Sequence, residues 1–168
     1  MHQAALVPLE EYLTTSYRPD CEYLEGQLLE RKLGERDHSE IQVALARMLD
    51  LRHRSVYAYT EQRVQVKPDK FRVPDLCVVS GAKPVEQVFL TPPFLCVEIL
   101  SRDDRMSEMQ DRLNDYLRMG VPHVWLVDPQ RRRAYYCIED GLQEAKDGFL
   151  RTTTPELTVS LGDLWSNL

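Results

Sequence analysis

Two acidic residues stand inside apolar segments, and they are the residues of this sequence most able to carry chemistry. Glu98 interrupts the apolar run Phe94–Leu100, whose composition is typical of a strand buried on both faces. An ionised carboxylate in such a place costs several kcal/mol unless it is paired with a cation or bound to a metal. Asp75 follows Pro74 at the start of another apolar run, Leu76–Val79.

The two carboxylates could meet, because neighbouring strands of a sheet bring their side chains within a few ångströms of each other. Like charges that close favour a divalent cation between them, and hard oxygen ligands with retained waters suit Mg²⁺ or Mn²⁺. A structural role is also consistent with the pattern: Glu98 would pair with a buried Arg or Lys, and Asp75 would only begin a strand. The spacing alone leaves both interpretations open.

Two further side chains are predicted to project toward the same sheet. At 100° per residue His38 lies in line with Ile41 on the first turn of its helix, whereas Glu40 points the opposite way. Arg112 adjoins Tyr116 at the edge of the apolar face of a later helix. His38 could equally be a core histidine with satisfied hydrogen bonds, and Arg112 could equally be a surface or ion-pair arginine.

Helices that could position these residues are predicted where apolar residues recur at helical spacing between capping and breaking residues. They are a short helix after Pro8, one begun by the capping-box pair Asp37 and Glu40 and running to about residue 52, one begun by Ser107 and Gln110 and ended by Gly120, and one over Leu161–Leu168.

Strands are predicted where alternating or continuous apolar residues stand between turn residues. They are a hairpin over Cys21–Lys32 turning at Glu25–Gly26, strands over Val56–Lys67, Val73–Ser80, Phe94–Ser101 and Val124–Val127, and a C-terminal antiparallel meander with turns at Asp140–Gly141 and Asp147–Gly148. The helix between the last two long strands implies a parallel crossover. We therefore expect an α/β (mixed α+β) fold, a twisted mixed sheet flanked by helices.

Composition limits the class of protein. With 168 residues, 43% of them apolar, the chain suits one domain over residues 1–168. We expect a cytoplasmic protein without membrane association, because no signal-peptide pattern or membrane-length apolar run occurs. The four cysteines (Cys21, Cys77, Cys96, Cys137) are scattered, which favours buried reduced thiols over a zinc site.

The charge balance argues against a broad electrostatic grip on nucleic acid, because the net charge is -6. The dense basic clusters are Arg52–Arg54 and Arg131–Arg133, and such clusters are usually solvated loops. Phosphate-loop, dinucleotide, nucleophile-elbow and zincin motifs do not occur in the sequence.

In their order along the chain, several motifs resemble the Uma-two family of restriction endonucleases, a branch of the PD-(D/E)XK nuclease superfamily. The resemblance spans about residues 22–136. Besides His38 at the start of a helix and Tyr116, its motifs are Tyr23–Gly26, Arg72–Asp75, Pro93–Ser101, Gly120–Val121 and Val124–Pro129.

The resemblance implies a restriction-endonuclease-like fold in which Asp75 and Glu98 bind the metal. The superfamily often has Lys two residues past the second acid, where this chain has Leu100. In this family that Lys has moved to the following helix, at the position of Arg112. Arg does not release its proton readily, so Arg112 could stabilise negative charge on the phosphate but is a poor general base.

The function implied is Mg²⁺- or Mn²⁺-dependent hydrolysis of phosphodiester bonds in DNA, with Asp75, Glu98, Arg112 and His38 as catalytic residues. A backbone carbonyl near Ile99 would complete the ligand set, His38 would contact phosphate or assist protonation, and the chain would act as a homodimer. Two alternatives remain: a non-catalytic DNA-binding or self-associating module on the same scaffold, and a metal-dependent phosphoesterase for a small substrate.

Overall fold

The computed structural model describes residues 6–31, 34–166 and 168. The end of the predicted hairpin at Lys32, one residue of the predicted C-terminal helix, Asn167, and residues 1–5 lie outside this range. None of the helices formed by the described residues is both long enough and apolar enough to cross a membrane.

The helices are α1 (Leu9–Thr14), α2 (Arg36–Leu49), α3 (Met106–Met119) and α4 (Leu161–Trp165), with a 3-10 turn over Arg52–Arg54. The strands are β1 (Cys21–Leu24), β2 (Gln27–Glu30), β3 (Val56–Thr60), β4 (Val64–Lys67), β5 (Lys70–Arg72), β6 (Leu76–Ser80), β7 (Leu95–Ile99), β8 (His123–Asp128), β9 (Arg133–Ile138), β10 (Gly141–Glu144), β11 (Phe149–Arg151) and β12 (Thr158–Ser160). They pair in the orders β2-β1-β5-β4, β10-β9-β8-β7-β6-β3 and β11-β12.

Strand β7 lies in the interior of the largest sheet. Every residue of β7 is buried, as the continuous apolar run predicts for a central strand. Strands β7 and β8 are parallel and α3 connects them, which confirms the predicted crossover. The neighbour on the other side, β6, is antiparallel to β7, so the residues just before β6 lie near the end of β7.

Helices α2 and α3 cover opposite faces of this sheet. Alternate residues of a strand point to opposite faces, so Val97 and Ile99 pack in the cluster that contains Ile41 of α2. Cys96 packs instead in the cluster that contains Leu113 of α3. Position 98 therefore directs its side chain toward α3, which is what brings that acid to the neighbourhood of Arg112.

The four-stranded sheet β2-β1-β5-β4 contains buried charged residues. Its β1–β2 hairpin turns at Glu25 and Gly26, whose φ angles of 52° and 91° suit a two-residue turn, as predicted. Strand β1 also pairs with β5. Glu22 on β1 and Arg72 on β5 are both buried as a result.

Several strand predictions are wrong in extent. The segment Val56–Lys67 forms two strands in different sheets, because Glu61 adopts a left-handed backbone (φ 53°) and redirects the chain. The predicted strand over Val73–Ser80 begins only at Leu76, so Asp75 lies just before β6. The C-terminal meander is partly correct: β10 pairs with β9, but β11 pairs with β12 instead of β10.

The capping-box predictions are also wrong. Helix α2 begins one residue before Asp37 and α3 one residue before Ser107, and within the described chain neither start has a side-chain cap. Asp37 instead accepts a hydrogen bond from Arg36 inside the first turn, where a carboxylate still interacts favourably with the helix dipole. Gly120 ends α3 in a left-handed conformation, as predicted.

Candidate active site

A cavity of about 230 Å³ lies between α2, α3 and the adjoining ends of β6 and β7. The four residues that the sequence singled out for chemistry all line it: His38, Asp75, Glu98 and Arg112. They come from α2, the segment just before β6, β7 and α3, so the fold brings together residues that are up to 74 positions apart (112 minus 38). The structure thus places the predicted site residues in one pocket.

The Asp75 carboxylate is held by three donors. Arg31 donates from Nη2 to Oδ1 at 2.5 Å. The backbone N–H of Ile99 donates to Oδ2 at 2.8 Å, and His38 Nε2 lies 3.2 Å from the same oxygen. Gln42 of α2 donates to the backbone carbonyl of Asp75 at 2.8 Å, which fixes the main chain ahead of β6. Asp75 is therefore oriented rigidly at the edge of the cavity.

The pair of His38 and Asp75 shifts both groups toward their charged forms. Burial disfavours a charge on His38, but the hydrogen bond and charge of Asp75 outweigh it, so the pKa of His38 lies above its ordinary value. Burial alone would raise the pKa of Asp75, but His38, Arg31 and the Ile99 N–H together hold it below its ordinary value. A carboxylate stabilised by neighbouring cations is the result.

The pKa of Glu98 is shifted in the opposite direction, toward the neutral, protonated form. Its side chain is completely buried, and Tyr116 donates a 2.6 Å hydrogen bond to Oε1. Burial, followed by the negative charge of Asp75, raises the pKa of Glu98 to about 8, although the charge of Arg112 and the Tyr116 hydrogen bond act against the shift. Its other oxygen, Oε2, accepts no hydrogen bond from the described residues.

Arg112 links Glu98 to Glu22. Its Nη1 lies 3.7 Å from Glu98 Oε2 and its Nη2 lies 3.5 Å from Glu22 Oε2, distances of ion pairs without a close hydrogen bond. Burial lowers the pKa of Arg112, but these two acids outweigh it and raise the pKa above its ordinary value. The guanidinium therefore stays protonated and faces the cavity, as predicted from the helical spacing.

Glu22 belongs to a second buried charge network behind the cavity. Arg72 donates to Glu22 at 2.7 Å and to Asp115 at 2.8 Å, and Lys70 pairs with Asp115 at 2.7 Å. The backbone N–H of Val73 donates to the other Glu22 oxygen. This network joins β1 and β5 to α3 through Asp115. Arg112 therefore projects from a helix that is held by these ion pairs as well as by its buried apolar residues.

Sequence reasoning missed Arg31 and Glu22. Glu22 stands between the apolar residues Cys21 and Tyr23 in a strand, the same signal that drew attention to Glu98, so it could have been found. Arg31 is the residue just after β2, and no local pattern there indicates a buried ion pair. Tyr116 was expected as part of a buried helix face, but its hydrogen bond to Glu98 was not.

The donor chemistry of the site fits a hard divalent cation. Two carboxylates border the cavity, and the bare Oε2 of Glu98 is a buried acceptor that a cation would satisfy. Among the described residues no group of three or more His, Cys, Asp or Glu side chains could hold a metal. Mg²⁺ is commonly held by only one or two protein carboxylates, with waters and substrate phosphate as the other ligands. Asp75 and Glu98 are the residues whose oxygens would serve that mode of binding.

The strand order and the flanking helices form a restriction-endonuclease-like fold, and an acidic pocket lies at the end of its central strands. A solved structure described as a "putative nuclease belonging to DUF820" from Anabaena variabilis ATCC 29413 has the same fold. The TM-score is 0.80 at 24% sequence identity, and the match covers 96% of this chain and 98% of that chain.

The particular family follows from the sequence match. The model of the Uma2 family, described as "Putative restriction endonuclease", matches residues 9–167. The chain therefore belongs to the Uma2 family, and the resemblance inferred from its motifs is confirmed. No curated protein matches the chain.

Proposed function

We propose that this chain is a nuclease that hydrolyses phosphodiester bonds in DNA with Mg²⁺ or Mn²⁺ held by Asp75 and Glu98. The observation that carries the proposal is the convergence of these two buried acidic side chains on one cavity, where one oxygen of Glu98 accepts no hydrogen bond from the described residues. Membership of a family described as restriction endonucleases supports nucleic acid as the substrate.

The ligands would be Asp75, Glu98 and the backbone carbonyl of Ile99, a residue that also lines the cavity, with water in the remaining positions. When bound, such a cation lowers the pKa of a coordinated water and offsets negative charge on a phosphate. Tyr116 keeps the Glu98 carboxylate in one orientation by its 2.6 Å hydrogen bond. The Tyr116 hydroxyl and the Ile99 N–H thus orient the two acidic side chains in the absence of a cation.

Arg112 has the role of a fixed positive charge. Its guanidinium borders the cavity, is four-fifths or more buried, and stays protonated because Glu98 and Glu22 raise its pKa. It can therefore stabilise the negative charge that develops on phosphorus-bound oxygens, but it cannot take a proton from water.

His38 has the role of a proton donor or phosphate contact. Asp75 raises its pKa, so the imidazole holds a proton more readily than an exposed histidine. A protonated imidazole that lines the cavity can donate a hydrogen bond to a phosphate oxygen or a proton to the leaving oxygen. Its Nε2 contact with Asp75 sets the ring orientation.

The experiment is a plasmid and oligonucleotide cleavage assay with Mg²⁺, with Mn²⁺ and with EDTA. The wild-type chain should cleave DNA only with the cation present, and Glu98→Gln should lower the rate by about a hundredfold or more. Glu40→Gln, at an exposed position of α2, is the matched control and should cleave like wild type. Equal cleavage by Glu98→Gln and wild type would refute the proposed site.

A second candidate function is a non-catalytic DNA-binding or self-associating module on the nuclease scaffold. The observation that favours it is the 2.5 Å contact between Arg31 and Asp75, which gives Asp75 a cation from within the chain. Calorimetric titration with Mn²⁺ separates the candidates. DNA retention without Mn²⁺ binding or cleavage would support the module and count against the nuclease.

Cutting both strands of a duplex calls for two active sites or two binding events, so we propose that the chain acts as a homodimer. Light scattering after size-exclusion chromatography should give twice the monomer mass of 19.6 kDa. A monomer mass with cleavage of both strands would refute the dimer and leave the nuclease proposal standing.

A further inference from the structure

Arg31 is placed to compete with a metal ion for Asp75. Its side chain is 13% exposed, and its Nη2 lies 2.5 Å from Asp75 Oδ1. The contact is charge-assisted and is made by a residue outside the predicted catalytic set. A guanidinium and a divalent cation repel each other at that separation, so both cannot share one carboxylate oxygen at full strength.

The other contacts of Asp75 leave little freedom around it. Its Oδ2 already has the backbone N–H of Ile99 and the His38 ring as partners, and both are fixed by β7 and α2. A carboxylate oxygen offers about two lone-pair directions. An incoming ion therefore has to bind through the remaining direction of Oδ1, directly beside the Arg31 guanidinium that takes the other one.

The structure also offers Arg31 a second partner. Its Nη1 lies 3.7 Å from a carboxylate oxygen of Glu61, whose side chain is 54% exposed. Glu61 is held near the site because its backbone N–H donates to the Asp75 carbonyl at 3.3 Å. The guanidinium can thus leave Asp75 for Glu61 by a side-chain rotation toward solvent, without losing its charge partner.

We propose that Arg31 is a built-in inhibitor of metal binding: its ion pair with Asp75 keeps the site closed to a divalent cation, and its transfer to Glu61 opens the site. This inference rests on the proposed function, because it needs Asp75 and Glu98 to be cation ligands. It predicts weak metal binding by the isolated protein and tighter binding when Arg31 moves, as it would toward the phosphate of a bound substrate.

The test is calorimetric titration with Mn²⁺ alone, without nucleic acid. Arg31→Gln should bind Mn²⁺ about tenfold or more tightly than wild type. Glu61→Gln removes the second partner and should bind several times more weakly than wild type. Arg36→Gln, at an arginine whose side chain is 77% exposed, is the matched control and should not change the affinity. Addition of Glu98→Gln to Arg31→Gln should abolish the gain.

Each outcome decides the question. Equal, measurable affinity in wild type and Arg31→Gln overturns the role of Arg31 and leaves the metal site intact. Lack of Mn²⁺ binding by every variant overturns the metal site and the inhibitor together. If circular dichroism shows that Arg31→Gln does not fold, Arg31→Lys replaces it in the test. The lysine ammonium lacks the planar fork of arginine and should hold Asp75 less well, so the Arg31→Lys protein should bind Mn²⁺ more tightly than wild type.

Discussion

The backbone N–H of Ile99 donates a 2.8 Å hydrogen bond to Oδ2 of Asp75, and so joins the residue just before β6 to the residue just after Glu98. Strands β6 and β7 are antiparallel neighbours, so the start of β6 lies beside the end of β7. The hydrogen bond joins these two ends and so sets the position of Asp75 relative to Glu98. The site is therefore part of the sheet, and its integrity can be tested through stability as well as activity.

Asp75→Asn is expected to lower the free energy of unfolding by about 3 kcal/mol. The amide has one oxygen for three donors, and it removes the negative charge that Arg31 and His38 both contact in a buried place. Urea denaturation at neutral pH measures the loss. Asp69→Asn, at an exposed turn, is the control. An equally small change in both variants would show that the Asp75 contacts contribute little.

Glu98→Gln is expected to make the metal-free protein less sensitive to alkaline pH. The pKa of Glu98 is raised by burial from 4.5 to about 8 in the folded chain. Between these two pH values the folded state holds a proton that the unfolded state releases. The stabilisation from this group is therefore complete below about pH 4.5, declines above it and is lost as the pH rises through about 8.

Thermal unfolding in EDTA at about pH 5 and about pH 9 measures this effect. The melting temperature of Glu98→Gln relative to wild type should increase with pH, because the variant keeps the Tyr116 hydrogen bond and lacks the buried charge. A difference between the two proteins that does not change with pH would contradict the assignment.

Arg112→Met is expected to reduce the cleavage rate about a hundredfold, because the transition state loses a buried positive charge beside Glu98. Arg112→Lys should recover part of that loss, since it keeps the charge and lacks the planar fork. Single-turnover cleavage with saturating Mn²⁺ separates this effect from metal binding. Wild-type rates in Arg112→Met would remove Arg112 from the mechanism.

Arg72→Met is expected to lower the free energy of unfolding by about 3–5 kcal/mol, because it removes the shared partner of two buried acids, Glu22 and Asp115. Arg131→Met breaks an ion pair on a side chain that is 70% exposed and should cost less than about 1 kcal/mol. Chemical denaturation of both variants makes the comparison. Similar losses would indicate that the buried network is dispensable.

Much of the fold follows from local patterns in the sequence. Continuous apolar residues predict β7 as a central strand, the Glu25–Gly26 turn predicts the first hairpin, and Gly120 predicts the end of α3. These predictions hold because burial periodicity and turn geometry are properties of a few consecutive residues. The first residues of α2 and α3 were less predictable, because residues such as Asp37 and Ser107 are compatible both with a cap position and with the first turn of a helix.

The sequence by itself determined that Asp75 and Glu98 are acids in a buried setting, because an ionisable residue within an apolar strand, or directly before one, is visible from its neighbours alone. Only the tertiary structure decided which cations meet them. Arg31 and Asp75 are 44 residues apart, and Arg72 and Glu22 are 50 apart. Such partners are chosen by strand order and by the break at Glu61, which long-range pairing controls and local periodicity does not encode.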